Sequence, residues 1–208
     1  MLAGSYTVTV TDENGCSQKT LPITISNPSV ITAVANVTSN HNGSQISCFG
    51  ASDGEITVTA AGGTGTLSYV LDQIPGNITG ASSGVFTGIP AGSYTVTVTD
   101  INLCTITTLP VTVNQPAIVT ATAQVTSNYY GSQLSCFGAS DGRISVTASG
   151  GTGALAYELV ELPANTTGAI TGIFTGLPAG TYTVDVTDLN GCSVTTAPVT
   201  ITPPAAPV

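Results

Sequence analysis

The chain has no tryptophan, one histidine and only two cationic side chains, Lys19 and Arg143, among its 208 residues. Each shortage removes a class of activity. Nucleic-acid affinity rests on Lys and Arg neutralising phosphates, and two cations against 11 carboxylates, a net charge of −9, cannot form such a patch. Anionic membrane surfaces are excluded by the same argument. The scarcity of Lys also rules out a Lys–Asn isopeptide crosslink in every repeat. The five cysteines, Cys16, Cys48, Cys104, Cys136 and Cys192, include no Cys-x-x-Cys pair, and His41 stands alone. Zinc and iron–sulfur sites therefore fail for want of ligands. No apolar run reaches the roughly 18 residues of a membrane span, so direct membrane insertion is not expected. Helical apolar spacing is also missing throughout. No signal-peptide pattern follows Met1, because Leu2-Ala3-Gly4-Ser5-Tyr6 runs straight into a strand pattern.

What the chain has is a repeat. Ala3 to Asp12 (AGSYTVTVTD) recurs at 91–100 and, slightly varied, at 179–188, a spacing of 88 residues. Cys16, Cys104 and Cys192 keep that spacing, as do Cys48 and Cys136. Such self-similarity marks an array of structural units. The expected organisation is the last third of a module at 1–29, complete modules at 30–117 and 118–205, and the start of a further junction at 206–208. Both ends read as cut from a longer array.

Within a module, side chains alternate with the two-residue period of a strand. Tyr94, Val96 and Val98 share one face, and Ser93, Thr95, Thr97 and Thr99 the other. Ile56, Val58 and Ala60 form a second such set, and Leu67, Tyr69 and Leu71 a third. Gly62-Gly63-Thr64-Gly65 reads as a hairpin turn between two runs. Pro22, Pro110 and Pro198 each interrupt the last strand, which suits an edge or a bulge. About seven strands are expected, near 30–38, 55–61, 66–72, two between 76 and 89, 93–100 and 104–114. Seven strands in about 100 residues is the immunoglobulin-like count. The predicted fold is all-β, in tandem immunoglobulin-like β-sandwich modules of about 88 residues. Leu177-Pro178 before Tyr182, and Ile89-Pro90 before Tyr94, resemble the tyrosine corner of such sandwiches.

Cys48-Phe-Gly-Ala-Ser-Asp-Gly-Glu-Ile-Thr-Val58, Gly62-Gly-Thr-Gly65 and Ala91 to Asp100 together resemble the SprB-type repeat; Cys136 to Val146 and Ala179 to Cys192 match it again. Two departures are Asn102-Leu103-Cys104, which lacks the glycine found at Gly15 and Gly191, and the missing third-strand Trp. The resemblance implies a bacterial cell-surface or secreted protein of the gliding-motility adhesin type, exported by the type IX system. The expected role is a structural or adhesive rod or filament. Its partners would be neighbouring modules and other copies of itself. A polysaccharide-binding module and a non-catalytic appendage of a secreted enzyme are the alternatives.

The cysteines are expected as disulfides of an oxidising compartment. The preferred pairing is Cys48–Cys104 and Cys136–Cys192, with the partner of Cys16 outside the chain. An opposing argument is that these positions lie at opposite poles of an immunoglobulin-like sandwich, which favours links between neighbouring modules. The pairing within a module requires the 39–54 segment to cross the module, a span it is long enough to cover. No cofactor is expected. Calcium is the one candidate ion, through Asp12, Asp100 and Asp188 in Asp-x-Asn turns, with side-chain turn closure as the competing role. Tyr129 and Tyr130 are the candidate ligand contacts, because amphipathic rings suit sugars and protein partners. Catalysis finds no support: His41 is replaced by Tyr129 one repeat later, and Glu158 and Glu161 stand where Val70 and Gln73 stand in the first module.

Overall fold

Thr-rich alternating segments have few other options than to pair as half-buried strands, and the computed structural model, which describes residues 1–206, is built of them. Residues 1–29 give β1 (Gly4–Tyr6), β2 (Thr9–Thr11), β3 (Ser17–Lys19) and β4 (Ile23–Ile25), with β1 paired to β4 and β2 to β3. The next 88 residues give β5 (Thr32–Val37), β6 (Gly54–Ala61), β7 (Ser68–Leu71), β8 (Val85–Ile89), β9 (Gly92–Tyr94), β10 (Val96–Thr99), β11 (Thr105–Thr107) and β12 (Val111–Val113). The second repeat copies them as β13 (Thr120–Val125), β14 (Gly142–Ser149), β15 (Ala156–Leu159), β16 (Ile173–Leu177), β17 (Gly180–Tyr182), β18 (Val184–Thr187), β19 (Ser193–Thr195) and β20 (Val199–Ile201).

Two antiparallel layers form each repeat. One is β5-β6-β8; the other is β7-β10-β11, prolonged by β9-β12. The β5–β6 register runs from Thr32 opposite Ala61 to Val37 opposite Ile56. β9 and β10 are one strand broken at Thr95, whose N–H turns aside to Gln73 Oε1 at 2.8 Å, while the Val96 N–H is taken by Thr108 Oγ1 at 3.0 Å. Pro110 separates β11 from β12 in the same way, as the sequence predicts.

The two layers close on one apolar core per repeat. Ile46, Ile56, Leu71, Phe86, Ile89, Val96 and Val98 are fully enclosed in the first, and Leu134, Ile144, Leu159, Phe174, Leu177, Val184 and Val186 in the second. The tyrosine corners form in all three copies: the hydroxyls of Tyr6, Tyr94 and Tyr182 donate to the carbonyls of Leu2, Pro90 and Pro178 at 2.7, 2.9 and 2.9 Å. Burial raises the phenol pKa of Tyr94 and of Tyr182.

Three expectations are corrected. Gly62 to Gly65 is not a hairpin, because β6 and β7 lie in different layers. The Asp100 carboxylate draws the Thr64 N–H across at 2.9 Å, and the Gly63 N–H reaches Ser29 O. Gly63 has a φ of +70°, and a Cβ there would lie 2.8 Å from the Ile31 side chain. Only one strand lies between 76 and 89. The other is a turn in which Asn77 Oδ1 accepts from the N–H and hydroxyl of Thr79, while its Nδ2 donates to Thr87 O. Side-chain bonds to nearby backbone thus replace a ladder. The third correction is the disulfide.

Candidate functional site: the junction between repeats

Cys48 is bonded to Cys192, from one repeat to the next, with Cα atoms 5.7 Å apart. The preferred pairs Cys48–Cys104 and Cys136–Cys192 do not form; Cys16, Cys104 and Cys136 are exposed free thiols. The reason is where the 39–54 segment goes. Ile46 inserts into the first core, and Gln45 Oε1 accepts from the Asn114 backbone N–H at 2.7 Å and its Nδ2 at 3.2 Å. These anchors hold the loop at the pole where the chain leaves the repeat. Cys48 therefore cannot reach Cys104, which sits at the other pole beside Pro28 to Ile31.

The receiving turn is built around Asp188, which is only 5% exposed. Its Oδ1 accepts from the N–H groups of Asn190 and Cys192, both at 2.9 Å, and its Oδ2 from Thr152 at 2.7 Å. Gly191 closes the turn at a φ of +85°, a left-handed conformation that costs a glycine nothing. The turn presents Asn190 to the preceding repeat. Asn190 Nδ2 donates to the carbonyls of His41 at 3.1 Å and Ser47 at 2.9 Å, and Asn190 Oδ1 accepts from Asn42 Nδ2 at 2.6 Å. On the linker, Gln115 Oε1 accepts from the Gly50 N–H at 2.9 Å. A side-chain amide so engaged fixes orientation as well as distance.

Behind the disulfide lies a cleft of about 340 Å³, lined by Cys48 and Phe49 from one repeat and by Pro116, Ile118, Val119 and Val194 from the linker and the next. Beside it, Asp53 Oδ1 accepts from the Ser47 N–H at 3.1 Å, and Asp53 Oδ2 lies 3.8 Å from His41 Nε2. Burial pushes the Asp53 pKa up, but its hydrogen bonds with Ser47 and the nearby imidazole outweigh that and leave it below the usual aspartate value.

The three candidate calcium aspartates serve as turn organisers. Asp12 Oδ1 accepts from Asn14 and Cys16, and Asp100 Oδ1 from Asn102 and Cys104. The Cys104 N–H, with those of Thr64 and Asn102, holds the Asp100 carboxyl below its usual pKa against the opposing effect of burial. Among the described residues, no three His, Cys, Asp or Glu side chains gather where a metal could be held.

Tyr129 and Tyr130 lie in different settings. The Tyr129 hydroxyl donates to Asp141 O at 3.0 Å, whereas Tyr130, at a φ of +52°, projects fully into solvent. Tyr130 stands one repeat after Asn42, itself a junction contact. Sequence reasoning missed Asn42, Ser47, Gln115 and Asn190. The signal for the last was present: Asn14, Asn102 and Asn190 recur with the cysteines.

Strand order, tyrosine corners and two separately closed cores define this chain as tandem immunoglobulin-like β-sandwich modules. Within that class, the model of the SprB repeat matches two segments of the chain, residues 41–76 and 132–159. No curated protein matches the chain. Three solved structures similar to it score low. A C-terminal fragment of intimin, solved with the intimin-binding domain of the translocated intimin receptor, is 17% identical; the match covers 86% of this chain and 64% of that one, at a TM-score of 0.32. Extracellular domains 3–5 of Drosophila OTK are 15% identical over 98% of this chain and 72% of that one, at 0.34. The fibronectin(III)-like modules of Clostridium thermocellum CbhA are 16% identical over 81% and 92%, at 0.30.

Proposed function

We propose that the chain is a structural and adhesive stretch of an extracellular bacterial surface protein, in which stacked modules act as a stiff rod and carry out no catalysis. The observation that carries this reading is the junction. One disulfide, three hydrogen bonds at Asn190 and a short Pro-containing linker all restrain the same pair of modules. A linker so short and so clamped restricts bending. The SprB repeat supports a surface location, and a disulfide suits an oxidising compartment. A net charge of −9 favours solubility and discourages sticking to anionic surfaces. Small-angle scattering of the chain, with antibody labelling of intact cells, tests the reading. An elongated particle of narrow dimensions and labelled cell surfaces are expected. A broad, hinged ensemble would remove the rod, and labelling only after lysis would remove the surface role.

Polysaccharide binding is the second reading, and the exposed Tyr130 ring is what favours it. Selective glycan-array binding that is lost in Tyr130→Ala would support it.

A further inference from the structure

The first repeat carries, at its opposite pole, a copy of the cleft that the disulfide closes. The occupied cleft has Pro116, Ala117, Ile118, Val119, Gly151, Asp188, Cys192, Ser193 and Val194 on its receiving side. The open one, of about 250 Å³, is lined by Pro28, Ser29, Val30, Ile31, Gly63, Asp100, Cys104, Thr105 and Ile106. These are the same nine positions one repeat earlier. The two linings differ by Cys48 and Phe49, which the second cleft lacks. The receiving turn is also preassembled, since Asp100 holds the N–H groups of Thr64, Asn102 and Cys104 just as Asp188 holds those of Thr152, Asn190 and Cys192. Asn102 stands where Asn190 makes its three bonds.

The inserting half is duplicated as well. Cys136 and Phe137 lie exposed at the far pole of the second repeat, on a loop anchored by the buried Leu134. Asp141 Oδ1 accepts from Ser135 N–H, as Asp53 does from Ser47. Gln133 Oε1 accepts from Thr202 as Gln45 does from Asn114. Each loop reads Cys-Phe-Gly-Ala-Ser-Asp.

We propose that the cleft at Cys104 receives, and the loop at Cys136 inserts, the Cys-Phe-Gly junction of a further module of this same repeat. The free thiols are then half-junctions: Cys104 bonds a cysteine of a module before it, and Cys136 one of a module after it. Closing each bond oxidises two thiols; their two electrons and two protons pass to glutathione disulfide, which leaves as two glutathione molecules.

This inference deepens the reading of the chain as a stacked rod. Its test keeps the full chain and places a copy of residues 30–88 before Met1. That copy completes the module that residues 1–29 end, and covers the apolar side chains of Val8, Val10 and Ile23 that are exposed without it. After oxidation in a glutathione buffer, the bonds are read by mass spectrometry of non-reduced peptides. The added copy of Cys48 is expected to bond Cys104, protecting it from alkylation, while Cys16 and Cys136 stay reactive. A bond from the added cysteine to Cys16, in its own module, overturns the proposal; so does an added cysteine that stays reduced. Cys48–Cys192 in the same sample separates the two levels. Its presence without the new bond sinks the propagation alone, and its absence sinks the clamped rod with it.

Discussion

Asn190 concentrates the contact between modules in one side chain. Its amide meets His41, Ser47 and Asn42, and each such bond contributes roughly 0.5–1.5 kcal/mol net. Asn190→Ala is therefore expected to leave both cores folded and to make Cys48–Cys192 easier to reduce. Its equilibrium constant against glutathione should fall by about tenfold, the equivalent of about 1.4 kcal/mol. An unchanged constant would assign the orientation to the disulfide and linker alone. Asp100 offers a pH test. Its pKa is depressed in the fold, so its contribution is complete above the unfolded aspartate value of about 3.9 and is lost as pH falls through the folded value. Thermal unfolding of the first module should drop in acid, and Asp100→Asn should flatten that dependence. The Tyr182 corner bond to Pro178 predicts a loss of about 1 kcal/mol for Tyr182→Phe by thermal melting.

At the scale of elements, alternation announced most of the strands. Val96, Val98, Ile56 and Leu71 point inward as the two-residue period requires. What the pattern could not carry was connection. Gly62 to Gly65 reads identically whether it turns back within a sheet or arches to the other one; the choice is made by Asp100, 36 residues away. The Asn77 turn was hidden for a related reason, since its bonds go to its own neighbours and leave no periodic trace. The junction was half legible. The pole argument favoured a link between modules, but chain length alone allowed Cys48–Cys104, and only the anchoring of Ile46 and Gln45 decides against it. Each module closes its own core, around Phe86 in one and Phe174 in the other. Phe174→Ala should cost roughly 3–5 kcal/mol and lower one of two calorimetric transitions, leaving the other in place. A shift of both would show that the modules unfold as a unit.

At the scale of the molecule, the two modules are held as neighbours by bonds that neither core needs. Reduction and alkylation should preserve strand content by circular dichroism while broadening the distribution of dimensions in small-angle scattering. The account stands most directly on which cysteines are joined, and a non-reduced digest with trypsin and an Asp-directed protease reads this. Cleavage at Lys19 and before Asp53, Asp100, Asp141 and Asp188 places Cys48 in peptide 20–52, Cys104 and Cys136 together in 100–140, and Cys192 in 188–208. The stapled junction predicts 20–52 bonded to 188–208, with 100–140 free and carrying two thiols. Peptide 100–140 bonded to both of the others would mean pairing within each module, and would contradict it.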